Sequence, residues 1–258
     1  MTYTYTLPYG LYYKPYLIDM IEGNHTLIAG TTGAGKSVLE NNIIWALLCT
    51  KFPGTVPSGQ GCKLVLIDPK KVELQMYRKL PHTWLYADTI DTITAALYNV
   101  RRLIDCRLND MKRRGLRKSS ECPVYVFIDE LVDLMTSPAK KEIVRLLSDS
   151  ASISRACNVF FVVLTQSPAR VIIPAQFKLL FNCRVGLRCN NSIESRQIID
   201  DDSAVYLPKH GLAIVQQDIE RYQIEIPLLD DYDILNLVKF WEKQHPIHNY
   251  FKRIKCRL

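Results

Sequence analysis

Gly30-Thr-Thr-Gly-Ala-Gly-Lys36-Ser37 has the residue types and the spacing, Gly-x-x-x-x-Gly-Lys-Ser, of a loop that holds phosphate. Glycines let consecutive backbone N–H groups close around a β-phosphate. Lys36 would neutralise charge on the β- and γ-phosphates, and the Ser37 hydroxyl would ligate Mg²⁺ where a helix begins. Gly30, Thr31, Thr32, Gly33, Ala34, Gly35, Lys36, Ser37 and Val38 are therefore expected to bind a nucleoside triphosphate.

Hydrolysis needs an acidic partner. Val124-Tyr-Val-Phe-Ile-Asp129-Glu130 supplies two carboxylates directly behind five apolar residues. That places Asp129 at the carboxyl end of a strand, the end at which ligands gather in open α/β sheets. There Asp129 is expected to hold Mg²⁺ and Glu130 to polarise the attacking water. Nucleoside monophosphate kinases lack the paired glutamate and GTPases position water with other residues, so the pair points to ATP-hydrolysing motors. Asn158-Val-Phe-Phe-Val-Val-Leu-Thr165-Gln166 again ends in polar groups, and Thr165 and Gln166 are expected to contact the γ-phosphate or the lytic water.

The elements that must position these groups alternate. Thr26–Ala29, Lys63–Ile67, Val124–Ile128, Asn158–Leu164 and Cys183–Leu187 are continuous apolar runs, as in a parallel sheet covered on both faces. Val38–Thr50, Thr89–Arg114 and Ile143–Cys157 carry helical periodicity between them. The pattern predicts a doubly wound α/β sheet. Gly211–Gln216 and Arg221–Ile226 flank Gln217-Asp218-Ile219-Glu220 and predict a hairpin that extends it. Thr2–Tyr16, rich in Tyr and Thr, is expected to be extended, and Lys51–Gly61 to be a surface loop.

At 258 residues and 48% hydrophobic composition, the chain can bury one substantial core without staples. The expectation is one domain over 1–258: an extended segment 1–25, a core 26–229 and a basic tail 230–258. No apolar run approaches the roughly 20 residues that span a bilayer, and no secretory signal opens the chain, so a cytoplasmic location is expected. Eight cysteines without a CxxC pair read as buried, reduced thiols, and His245-Pro-Ile-His248 lacks the partners of a zinc site. The net charge of +7 is uneven: 101–118 carries +6 and 239–258 carries +5, leaving −4 elsewhere. Two basic patches suggest a polyanion partner.

The sequence resembles the FtsK/SpoIIIE DNA translocases, within the wider FtsK–HerA group. The resemblance rests on Ile28-Ala-Gly-Thr-Thr-Gly-Ala-Gly-Lys-Ser-Val38, Leu66-Ile-Asp-Pro-Lys-Lys-Val-Glu-Leu74, Phe127-Ile-Asp-Glu-Leu-Val-Asp-Leu-Met135, Ser154-Arg-Ala156, Val163-Leu-Thr-Gln-Ser-Pro168 and Glu194-Ser-Arg-Gln-Ile-Ile-Asp200, in the family's order over roughly 15–227. Asp68-Pro-Lys70 and Asp129-Glu-x-x-Asp-Leu134 are the most specific. The resemblance implies a RecA-like P-loop NTPase that binds ATP and Mg²⁺ and assembles as a homo-oligomeric ring, commonly a hexamer, with nucleotide at subunit interfaces. It implies phosphate contacts from Gly30–Ser37, metal ligation by Ser37 and Asp129, a catalytic base at Glu130 and sensing at Thr165 and Gln166. Arg155 matches an arginine that acts across the interface, with Arg184 and Arg196 as rivals.

Chromosome translocases of the family add membrane segments, a linker, a further motor subdomain and a winged-helix reader. None of these fits in this sequence, which is closer to the motor-only versions of plasmids, phages and conjugative elements. The function implied is ATP-driven translocation of double-stranded DNA in segregation, transfer or packaging, with any membrane anchoring left to a protein partner. Lys112, Arg113, Arg114, Arg117 and Lys118, or Lys252, Arg253, Lys255 and Arg257, would meet the phosphates. The alternatives are a coupling or secretion ATPase that docks protein substrates, such as a relaxase, and a regulatory nucleotide-binding module. Intact Lys36 and Glu130 argue against the last.

Overall fold

The computed structural model describes residues 16–54, 61–166 and 178–244. In chain order the elements are α1 (Tyr16–Asp19), β1 (Thr26–Ala29), α2 (Lys36–Thr50), β2 (Phe52–Pro53), β3 (Gly61–Ile67), β4 (Thr83–Ala87), α3 (Ile90–Arg114), β5 (Val124–Ile128), α4 (Leu131–Met135), α5 (Lys140–Ser154), β6 (Val159–Thr165), β7 (Cys183–Gly186), α6 (Ser192–Ile199), β8 (Leu212–Gln217), β9 (Glu220–Glu225) and α7 (Asp231–Gln244). They build one sheet, ordered β4-β3-β5-β6-β1-β7-β8-β9, with the two-residue β2 paired to the start of β3. Every pairing from β4 to β7 is parallel, and β7–β8 and β8–β9 are antiparallel.

Period-two alternation sends successive side chains of the buried strands to opposite faces. Ile28, Leu64, Leu66, Tyr125, Phe127, Val162 and Leu164 pack with α2 and α7 on one face. Leu27, Val65, Ile67, Val126, Ile128, Phe161 and Val163 pack with α3, α4 and α5 on the other. Both faces are covered, which is why these strands read as unbroken apolar runs. The α/β expectation, the parallel core and the hairpin extension all hold.

Other elements differ from the sequence reading. β4 pairs along the outer side of β3 with mostly half-buried side chains, so it lacks the apolar run that marks a central strand. Tyr16–Asp19 is a helical turn inside the segment expected to be extended. The stretch expected as a basic tail opens with α7, whose Ile234, Leu237, Val238 and Trp241 recur at helical spacing and are buried. Trp241 Nε1 donates to the Leu48 carbonyl of α2 at 3.0 Å. Burying four such side chains contributes on the order of 1.5–3 kcal/mol each, which charge counting conceals. Of the surface loop expected over Lys51–Gly61, Phe52–Pro53 is β2 and Gly61 opens β3 as a buried residue. Its residues 55–60, with the expectations for 1–15, Ser167-Pro168 and the basic residues 245–258, lie outside the described residues.

Candidate active site

β1 delivers the chain to the loop at the carboxyl edge of the sheet. Gly30 packs against the end of β7 so closely that a Cβ there would stand 2.8 Å from Leu187 Cβ and 3.3 Å from the Arg188 carbonyl. The two segments are tied by Thr31 N–H to Arg188 O at 2.9 Å. Gly35 turns the chain into α2 at φ 97°, a left-handed conformation that side chains resist. α2 then starts at Lys36 and Ser37, with its first N–H groups facing the loop. Lys36 Nζ donates to the carbonyls of Gly30 at 2.7 Å and Thr31 at 3.0 Å. Burial lowers the pKa of its ammonium, and Lys70 adds to the fall, while Glu130 and Asp129 oppose it.

β6 lies between β1 and β5, so Thr165 and Gln166 stand between the loop and the carboxylates. Thr165 is buried and in register with Ala29. Thr32 Oγ1 donates to Gln166 Oε1 at 2.9 Å, and Gln166 N–H donates to Glu130 Oε1 at 3.2 Å. The same oxygen accepts from Val132 N–H at 3.2 Å, which makes Glu130 the N-cap of α4. Lys70 Nζ donates to the other oxygen, Oε2, at 3.2 Å. One continuous polar line thus runs from Thr32 through Gln166 and Glu130 to Lys70.

The edge is crowded with acid. The Asp129 carboxyl is pushed up to about 7, first by burial, then by the charges of Asp68 and Glu73, with Lys70 pulling the other way. Glu40 of α2 is wholly buried, and burial, Asp129, Glu73 and Asp68 together raise its carboxyl well above the ordinary range. Asp68 shapes the backbone that follows it, because its carboxylate accepts from the N–H groups of Val72 at 3.3 Å and Leu74 at 3.1 Å.

A family model for FtsK/SpoIIIE matches residues 1–125. DNA translocase FtsK of Chlamydia trachomatis is 31% identical over 250 residues, taking in 86% of this chain and 30% of that protein. The chain belongs to the FtsK/SpoIIIE family. Likeness to solved structures supports a P-loop ATPase fold at identities that speak to the fold alone. The conjugation coupling protein TcpA of pCW3 superposes with TM-score 0.71 at 23% identity, over 85% of this chain and 65% of TcpA. EssC (ATPases 2 and 3) from Geobacillus thermodenitrificans does so with TM-score 0.73 at 17% identity, over 88% and 45%. The chain thus spans about a third of the FtsK protein it matches, and no helix among the described residues is long and apolar enough to cross a membrane.

The three arginines expected from FtsK/SpoIIIE relatives separate by environment. Arg155 is exposed in the turn before β6, at the amino edge of the sheet and so far from its own loop. Arg184 is half-buried and committed, donating to Ile198 O at 3.0 Å and pairing with Asp200 at 2.7 Å. Arg196 is exposed and lies 3.6 Å from Asp202.

Other residues at the site of this FtsK/SpoIIIE chain carry no motif. Arg188, Asn190 and Lys209 join Thr31 and Thr32 around an open cleft of about 460 Å³ beside the loop. Lys209 Cε stands 3.9 Å from where a Cβ on Gly33 would sit. Both cations reach the loop through tertiary packing, so no sequence spacing signals them. Glu40 had a signal, a lone acid on an otherwise apolar helix face.

Proposed function

We propose that this chain is the ATP-hydrolysing motor of a homo-oligomeric ring that translocates double-stranded DNA, with 26–229 as the motor core. What carries the reading is the hydrogen-bonded line from the phosphate loop to a buried glutamate, Thr32 to Gln166 to Glu130, in a chain of the FtsK/SpoIIIE family. ATP would lie on Gly30–Val38, with Lys36 turning from the loop carbonyls to the β- and γ-phosphates. Arg188 and Lys209 add charge at the loop's outer side. Acid crowding around Asp129 favours a divalent cation, and Asp129 and Ser37 are oxygen donors suited to Mg²⁺ that arrives with the nucleotide. Mg²⁺ would offset charge on the phosphates.

Glu130 Oε2 takes a proton from water as the water oxygen bonds to the γ-phosphorus and the bond to the β–γ bridging oxygen breaks. Gln166, bonded to both Thr32 and Glu130, orients that water and reports its loss, and buried Thr165 keeps the end of β6 in register with the loop. Arg155 acts on a neighbour's nucleotide, because its edge of the sheet faces away from its own. The basic end of α3 supplies phosphate contacts without base readout.

The test is ATP turnover with and without duplex DNA, run on preparations imaged for rings by negative stain. DNA-stimulated turnover by rings supports the motor. Stimulation by a protein substrate and none by DNA at low salt would replace it with the coupling or secretion reading.

A further inference from the structure

Hydrolysis as described leaves Lys70 of Asp68-Pro69-Lys70 without a part to play. Its ammonium sits on the catalytic candidate. Lys70 Nζ donates to Glu130 Oε2 at 3.2 Å, while Oε1 is already fixed by the backbone N–H groups of Val132 and Gln166. Oε2 is therefore the oxygen left to take a proton from water, and Lys70 occupies it. The Glu130 side chain is 3% exposed and that of Lys70 is 38% exposed, so the ammonium stands between the base and solvent. Its backbone is held in place: Asp68 binds the Val72 and Leu74 N–H groups, and Lys71 turns at φ 61°. Only the side chain is left to swing.

We propose that Lys70 is a positioning residue, a latch that holds Glu130 Oε2 until the γ-phosphate of a bound nucleoside triphosphate draws the ammonium to itself and frees the base. This rests on the motor reading above. A phosphate is the natural competitor, since it carries more negative charge than a carboxylate and would sit between Lys36 and Glu130. The latch would keep hydrolysis low while the γ-phosphate of bound ATP is badly placed for attack, as in a ring that has not engaged DNA.

The experiment is steady-state ATPase without DNA for wild type, Lys70→Met, Lys70→Gln and Lys70→Arg, with melting temperatures measured alongside. Releasing a partly exposed ion pair is worth up to about a fivefold change in population. Lys70→Met and Lys70→Gln should therefore raise DNA-independent kcat several-fold, with KM within about twofold. Lys70→Arg, which keeps the charge, should rise less than either neutral variant. A kcat at or below wild type in both neutral variants, with unchanged melting, overturns the latch while leaving the motor reading intact. Wild-type rings that do not hydrolyse ATP would overturn the motor reading, and the latch with it.

Discussion

Gln166 gives its backbone N–H to Glu130 Oε1 at 3.2 Å, so the ends of β5 and β6 hold one carboxylate between them. Glu130→Gln keeps an acceptor oxygen for that bond and for Val132 N–H, but an amide takes no proton from water. The variant should fold, bind nucleotide with wild-type affinity and lose hydrolysis by at least about 10²-fold, the lower end of what general base catalysis contributes. Glu130→Ala should additionally lose about 1 kcal/mol with the α4 cap. Turnover assays beside fluorescent-nucleotide titration check both, and a Glu130→Gln variant with wild-type turnover removes the base assignment.

Gly30→Ala should fail for a different reason. The added methyl meets Leu187 Cβ at 2.8 Å and the Arg188 carbonyl at 3.3 Å, both fixed by the sheet. The loop and the end of β7 must part, breaking Thr31 N–H to Arg188 O, at about 1–3 kcal/mol for an overpacked contact. Thermal melting should fall and nucleotide affinity with it. Leu187→Ala should not rescue, because the clash is with Cβ itself. Wild-type melting and affinity in Gly30→Ala would contradict this packing.

The phosphate loop, the Asp129–Glu130 pair and five central strands were legible because each is local: a spacing in sequence or an apolar run. β4 was not, since an edge strand keeps half-buried side chains. α7 was hidden by charge, although its four buried residues repeat at helical spacing. Lys70 on Glu130, and Arg188 with Lys209 beside the loop, arise from tertiary packing between segments 20 to 60 residues apart or more. Nothing in the local pattern encodes them.

The arginines should divide by what they do when lost. Arg184→Ala removes a 2.7 Å pair with Asp200 and a bond to Ile198 O, so it should lower stability by about 1–3 kcal/mol in the isolated chain. Arg155→Ala should leave melting unchanged, since the side chain is exposed and makes no ion pair among the described residues. If it acts in trans, its loss should cut turnover by about 10³–10⁵-fold. Mixing Arg155→Ala with Lys36→Ala subunits should restore some activity at interfaces that pair an intact loop with an intact arginine. No rescue at any ratio transfers the role to Arg196.

Stability should fall in mild acid through His25. The ring is wholly buried, its Nδ1 accepts from Phe161 N–H at 3.0 Å and its Nε2 contacts Ala151 O at 2.9 Å. A second proton would set an N–H against an N–H, and burial first of all holds the pKa at about 4, below the usual 6.5. The unfolded chain binds the proton below about pH 6.5 and the folded chain does not until about 4, so stability is fully present above 6.5 and declines between the two. The loss is on the order of 3 kcal/mol. Urea denaturation at pH 7.5 and 5.0 should show a difference that shrinks in His25→Phe, and an equal pH dependence in both proteins would clear His25 of the effect.

The basic segment 101–118 is smaller as a docking surface than its charge suggests. Arg107 is buried and donates to the carbonyls of Cys157, Asn158 and Cys122, and Arg101 pairs with Asp105 at 2.9 Å. That leaves Arg102 exposed along α3, and Lys112, Arg113, Arg114, Arg117 and Lys118 exposed around its end, with Asp110 shared by Arg113 and Arg114. α3 starts at the phosphate edge, and 25 residues carry it about 37 Å, beyond a five-residue strand of roughly 17 Å. The basic tip therefore projects past the opposite edge, clear of the nucleotide. Each phosphate it neutralises should contribute about −0.9 to the slope of log affinity for duplex DNA against log salt. Replacing all five tip residues with Gln should flatten that slope by up to about 4 to 5 while DNA-independent ATP turnover stays at wild type. Affinities should also be alike for duplexes of different sequence, because phosphate contacts carry no base information. An unchanged slope would take DNA off the α3 tip and leave Lys252, Arg253, Lys255 and Arg257 as the residues to replace next.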